Sequence, residues 1–159
     1  PYTTLFRSYA MGDVKGGLQF TYISLDDYRI VKDHLFGNKQ RTTKNRGQIA
    51  YSVFISPTFS RVGLSEQEAR EQGYAVKTVS MPAAAIPRAN VISQPDGLLK
   101  AVIDTKTDQI LGCVLFCAES EEVINFVQLA MNQRLTYQEV GNHIFTHPTM
   151  SEALNDLFS

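Results

Sequence analysis

Cysteine is scarce in this sequence: of 159 residues only Cys113 and Cys117 carry thiols. Two cysteines are too few for a disulfide scaffold. A charge excess of either sign is also missing. The formal net charge is −1, so no strong field draws the chain to nucleic acid or to an anionic membrane. No apolar run reaches the roughly 20 residues that a membrane span needs. No charged stretch followed by an apolar one opens the chain as a signal peptide would, and position 1 is Pro rather than Met. What is present is a soluble, globular composition, 43% hydrophobic and 19% charged, long enough for one domain or one domain and part of another. A cytoplasmic protein is the expectation.

Residues 1–8, Pro-Tyr-Thr-Thr-Leu-Phe-Arg-Ser, look like the in-frame translation of a sequencing adapter and are set aside from fold reasoning. The plainer alternative is a short strand over 2–6. Residues 9–11 form an apolar strand end, stopped by Gly12 and Asp13. From 21 to 36 apolar residues recur at helical spacing: Tyr22, Leu25, Tyr28 or Ile30, Val31 and Leu35. Gly37 ends that helix as a C-terminal glycine commonly does. The polar, basic stretch 39–48 reads as a linker and a domain boundary. Beyond it, strands are expected over 51–56, 75–81, 98–104 and 109–118, with a hairpin turn at 105–108. Helices are expected after the capping boxes at Ser65 and Thr136, over 120–134 and over 150–158. In the helix over 120–134, Val123, Ile124, Val127, Leu129 or Ala130, and Met131 face inward. The order of elements predicts an α+β domain, an antiparallel sheet with helices on one face.

Tyr-Ala-Met-Gly-Asp-Val at 9–14 resembles the second flavin-binding motif of the pyridine nucleotide–disulfide oxidoreductases. His-Pro-Thr-Met-Ser-Glu-Ala-Leu at 147–154 resembles their C-terminal signature. Between the two, residues 51–63 resemble the opening of that family's dimerisation domain, and 98–102 with 109–112 its central hairpin. The resemblance runs over 9–159 in order and spacing. Gln19-Phe20-Thr21-Tyr22 and the residues after it stand nearest to mercuric-reductase-like members and to bacterial flavoproteins induced by reactive chlorine species. The resemblance implies that 9–47 is the tail of an FAD-binding domain and 48–159 a dimerisation domain. It also implies a homodimer that passes electrons from NAD(P)H through FAD and a cysteine pair to a small-molecule oxidant or disulfide. The glycine-rich flavin fingerprint, the redox cysteine pair and the NAD(P) domain of such enzymes have no counterpart in these 159 residues.

The same resemblance assigns roles. Gly12 lets the backbone come close to FAD, and Asp13 accepts a hydrogen bond from a ribityl hydroxyl. Gln19, Phe20 and Thr21 lie at the start of a helix whose first amides face the flavin ring. By themselves, Gly12 and Asp13 are an ordinary turn. His147 handles protons at the partner subunit's redox thiols, and Glu152 orients the imidazole. Its bond to Pro148 is expected to be cis. From residues alone, Thr149 and Glu152 form a capping box, so Glu152 could simply close a helix. The positive end of that helix and the Glu152 carboxylate would act on the imidazole in opposite senses.

Other features have plainer readings. Cys113 and Cys117, four apart on one strand, share a side but lie too far apart to bridge, about 13 Å against a limit near 7 Å. They read as small buried hydrophobes. His143 and His147 do not share a helical turn, so no metal site is expected. His34 is a dipole partner near a helix end. Lys39, Arg41, Lys44 and Arg46 read as a solvated linker rather than a nucleic-acid contact. Phe126, Tyr137 and Phe145 are the interface candidates. The competing class is a non-enzymatic dimerisation or interaction module that keeps the fold without the chemistry.

Overall fold

The computed structural model describes residues 8–159. The adapter-like stretch, apart from Ser8, and the alternative strand over 2–6 lie outside the described residues. The chain divides into two compact units, Pro1–Gly47 and Gln48–Ser159.

In the first unit a 3-10 turn, Asp13–Lys15, precedes helix α1, Thr21–Phe36. Residues 9–11 do not form the expected strand end, since a strand needs a partner ladder and no described strand pairs with them. The helix has the expected bounds but not the expected inward face. Tyr22, Leu25, Tyr28 and Leu35 are exposed, and Ile23, Asp26 and Asp27 are buried. Gly37 is not left-handed either, at φ −116°. It is small for a different reason: a Cβ there would lie 2.3 Å from the Asp33 carboxylate. That carboxylate folds over the helix end to accept the amides of Asn38 and Arg41.

The second unit is a five-stranded antiparallel sheet, built from β1 (Ala50–Val53), β2 (Phe59–Gly63), β3 (Val76–Pro82), β4 (Leu98–Asp104) and β5 (Ile110–Phe116) in the order β1-β2-β5-β4-β3. The register aligns one inward row as Ala50, Val62, Cys113, Ala101 and Val79, and the next as Ser52, Ser60, Leu115, Leu99 and Met81. Alternation at period two sends these rows to one face. Helix α4, Ser120–Asn132, packs on β1, β2 and β5, and α6, Ala153–Leu157, packs on β3 and β4. The expected α+β sheet-and-helix architecture is the observed one. On α4 the inward choice between Leu129 and Ala130 falls to Ala130.

Several elements differ from expectation, among them a short helix over Pro87–Val91, which was not anticipated, and β5, which ends at Phe116 rather than 118. Strand β2 was not anticipated, because its pattern is inverted: polar Ser60 is fully buried and Phe59 is half-buried. Ser60 can face inward because its hydroxyl bonds those of Ser52 at 2.8 Å and Ser120 at 2.9 Å. Strand β1 stops at Val53 rather than 56, short of a cis Ser56–Pro57 bond. The last helix begins at Ala153 rather than 150, since Met150 to Glu152 are taken up in a turn. Short helices α2 (Glu66–Glu71) and α5 (Tyr137–Gly141) start at reciprocal capping boxes on Ser65 and Thr136, as expected. Helix α3, Pro87–Val91, starts on a proline.

Candidate active site

The singled-out residues fall into two groups, one in each unit. In the second unit, α5 ends at Gly141 and the chain runs through His143, Phe145 and a cis His147–Pro148 bond into α6. Leu154 and Leu157, both in the core, seat α6 on the sheet. Asn155 ties the two segments together: its Nδ2 donates to the carbonyls of Gly141 and His143, each at 2.7 Å. Thr149 shapes the turn between them, its hydroxyl donating to the Thr146 carbonyl at 2.7 Å.

On that support His147 Nδ1 lies 2.9 Å from Glu152 Oε2 and 3.2 Å from Oε1. The two side chains live in different surroundings. The imidazole is 71% exposed and the carboxylate 14%. The carboxylate is held by the Thr149 amide at 3.4 Å, while Thr149 Oγ1 accepts the Glu152 amide at 3.3 Å. The reciprocal Thr149–Glu152 bonds and the His–Glu pair are therefore both built, and the same oxygen, Oε2, serves both. Those bonds close the turn ahead of α6 rather than cap the helix, which starts at Ala153 with no side-chain cap bond. A carboxylate acceptor at Nδ1 favours the tautomer with its proton there, which leaves the lone pair on Nε2 for an outside partner. Such a ring can take a proton and return it.

In the first unit, Gly12 has φ +75° and ψ −156°, backbone that suits glycine. A Cβ there would come within 3.1 Å of Ser24 Oγ, so the turn lies close on α1. Asp13, Gln19, Phe20 and Thr21 are exposed. The Phe20 side chain makes no cap hydrogen bond, and a 16-residue helix carries a full macrodipole behind its first amides. A close-lying glycine turn, an exposed carboxylate and the start of a long helix are compatible with the flavin contacts that the family resemblance implies.

Other candidates resolve as follows. Cys113 and Cys117 are free and buried. Burial first, then its neighbour Cys117, pushes the Cys113 thiol up to about 12. Burial, then Glu121 and Glu119, does the same for Cys117. His143 meets the Phe145 ring edge-on at 4.8 Å, and His34 lies against Tyr9 at 5.5 Å. Phe126 is 51% exposed and touches Phe145, which with Tyr137 is half-buried against the core. The solvated-linker reading needs correction. Lys39 and Lys44 are exposed, but Arg41 and Arg46 reach the carboxylates of Asp26 and Asp27. Buried acids on α1 recruit them. Periodicity could not show this, because aspartates do not register as an inward face.

Fold and site together define a class: an antiparallel α+β domain that presents a carboxylate-held imidazole at its C-terminal end. The chain belongs to the pyridine nucleotide-disulphide oxidoreductase family, whose dimerisation domain matches residues 49–158. It is 54% identical over 158 residues to the "Probable pyridine nucleotide-disulfide oxidoreductase RclA" of Escherichia coli, covering 99% of this chain and 36% of that protein. It is 34% identical over 148 residues to the mercuric reductase of Lysinibacillus sphaericus, covering 93% and 27%. Among solved structures, the HOCl-induced flavoprotein disulfide reductase RclA from Escherichia coli superposes with a TM-score of 0.92 at 55% identity, over 94% of this chain and 34% of that one. The chain thus spans about a third or less of the length of these relatives. No helix among the described residues is long and apolar enough to cross a membrane.

Proposed function

We propose that the chain is the C-terminal part of a cytoplasmic, FAD-dependent NAD(P)H:disulfide-type oxidoreductase, and that it supplies the dimer surface and an acid–base pair. The observation that carries this reading is the His147 ring, held at Nδ1 by Glu152 and open to solvent on its other side. In a homodimer His147 would face the partner's redox cysteines. Nε2 accepts the proton of an attacking thiol and gives it back to the departing thiolate. Glu152 holds the ring's orientation and balances the positive charge while the proton is carried. Bound FAD supplies hydride acceptance from NAD(P)H and onward electron transfer. Gly12, Asp13, Gln19, Phe20 and Thr21 bind and orient it. The exposed Phe126 and Leu129 on α4 and Ile144, three residues before His147, suit cover by a second copy. The similarity to an HOCl-induced relative supports a small-molecule oxidant or disulfide as substrate.

The test is His147→Ala in the full-length protein. Its NAD(P)H-dependent turnover is expected to fall about 10²- to 10⁴-fold, with flavin content and dimer unchanged. Turnover near the unsubstituted level would sink the acid–base role and leave a dimerisation module.

A further inference from the structure

Asp26 and Asp27 are the buried carboxylates of α1, 7% and 4% exposed, and they stand where an apolar stripe would ordinarily run. Cations gather on them. Arg46 Nε lies 2.6 Å from Asp26 Oδ2, and its guanidinium also pairs with Asp27 Oδ1. Arg41 reaches Asp26 Oδ1. Lys15 Nζ lies 3.3 Å from Asp27 Oδ2. A buried ion pair is seldom more stabilising than packed apolar side chains of the same volume. What such a pair adds is direction. Here the direction is specific: Asp27 Oδ2 also accepts the Gly12 amide at 2.9 Å.

Asp27 therefore grips both ends of one small turn. Gly12 gives it an amide at the start, and Lys15 gives it an ammonium at the end. Between them the chain closes on itself, with the Lys15 amide on the Gly12 carbonyl and the Gly16 amide on the Asp13 carbonyl, each at 3.0 Å. The exposed Asp13 carboxylate projects from the middle of this clamped loop. Burial pushes the Asp27 carboxyl up, but the Gly12 amide, Arg46 and Lys15 together hold it below the ordinary carboxylate range. The clamp is therefore charged at neutral pH.

We propose that Asp27 is a positioning residue for the flavin. It fixes the Gly12 to Lys15 turn so that Asp13 is held ready for a ribityl hydroxyl, and through Arg46 it ties that turn to the segment that follows α1. This rests on the reading that Gly12 and Asp13 meet FAD. Asp27 itself touches no cofactor atom; it acts through the Gly12 backbone.

The experiment is FAD titration of the full-length apoprotein, read by flavin fluorescence, with visible circular dichroism of the bound flavin as second readout. Asp27→Asn is expected to raise the FAD dissociation constant about 10-fold and to alter the flavin dichroism. Lys15→Gln, which removes one half-exposed anchor, is expected to raise it about 3-fold. A merely structural role would lower the apoprotein's melting temperature and leave both flavin readouts of the folded protein unchanged. Should Asp27→Asn not fold, Lys15→Gln decides by itself. Asp13→Asn separates the two layers. If it weakens FAD while the Asp27 and Lys15 variants bind normally, the positioning role is overturned and the flavin reading stands. If Asp13→Asn binds FAD normally, the flavin reading falls and the positioning role with it.

Discussion

Glu152 Oε2 accepts hydrogen bonds from two sources, the His147 ring and the Thr149 amide. Residue chemistry explains why this is useful: the backbone bond holds the carboxylate still, so the imidazole it holds is also still. Glu152→Gln keeps the size and can keep one bond, but it loses the charge that balances a protonated ring. In the full-length protein it is expected to lower turnover about 10-fold or more, less than His147→Ala, in steady-state assays. The thiols behave oppositely. Cys113 and Cys117 are buried, with their ionisation pushed up to about 12, so almost no thiolate forms at neutral pH. The folded 159-residue chain is expected to give no fast reaction with a thiol reagent such as DTNB, and the denatured chain two equivalents, one for each cysteine. A fast native reaction would overturn the assignment as packing residues. The sequence already read both as small buried hydrophobes; β5 ends at Phe116, so Cys117 lies just past the strand and not on it, and burial supplies the energetic reason.

At the scale of elements, α4 is held by more than its apolar stripe. Ser120 Oγ donates to the Thr58 carbonyl at 2.8 Å and meets Ser60 Oγ at 2.9 Å, so the first turn of the helix is pinned to β2 and the residues before it. Ser120→Ala leaves a buried hydroxyl and a carbonyl each short of a partner, and is expected to cost about 1–3 kcal/mol by urea denaturation. Leu154→Ala, at a fully buried position on α6, is expected to cost about 2–5 kcal/mol. It would also loosen the turn that carries Glu152. Helices with clean apolar periodicity or a capping box were legible beforehand, because both signals are local. Strand β2 was not: Ser60 faces inward only because Ser52 and Ser120, from two other elements, satisfy it.

For the whole molecule, the resolved carboxylate shifts all run downward. Asp27 is lowered by the Gly12 amide, Arg46 and Lys15 against its burial. Asp33 is lowered chiefly by the Arg41 amide, Glu66 by Lys100, and Glu68 and Glu139 by their capping boxes. Such groups bind fewer protons folded than unfolded. Their stabilisation is fully present above the ordinary values of 3.8 and 4.5 and is lost as pH falls through the lowered ones. The thiols are raised, so the folded form keeps protons that the unfolded chain releases, and stability falls as pH climbs from 9.0 toward about 12. Denaturation midpoints measured across pH are expected to be flat between about 5 and 8 and to drop on both sides. A midpoint still rising below pH 4 would contradict the carboxylate assignments.

The sequence by itself determined the class of fold, the bounds of α1, two capping boxes, the hairpin of β4 and β5, and the family, because periodicity, caps and motif spacing are properties of neighbouring residues. It also named His147 and Glu152 but left Glu152 divided between a cap and a partner for the imidazole. Only the tertiary structure showed that one oxygen meets both the imidazole and the Thr149 amide, closing the turn ahead of α6 instead of capping the helix. It alone showed that Asp26 and Asp27, rather than the apolar stripe, turn inward on α1, and that the largely buried Arg46 and the half-exposed Arg41 pair with them. Those outcomes depend on groups 15 to 20 residues apart arriving at one place, where the cost of burying a charge is offset by partners that no local pattern announces.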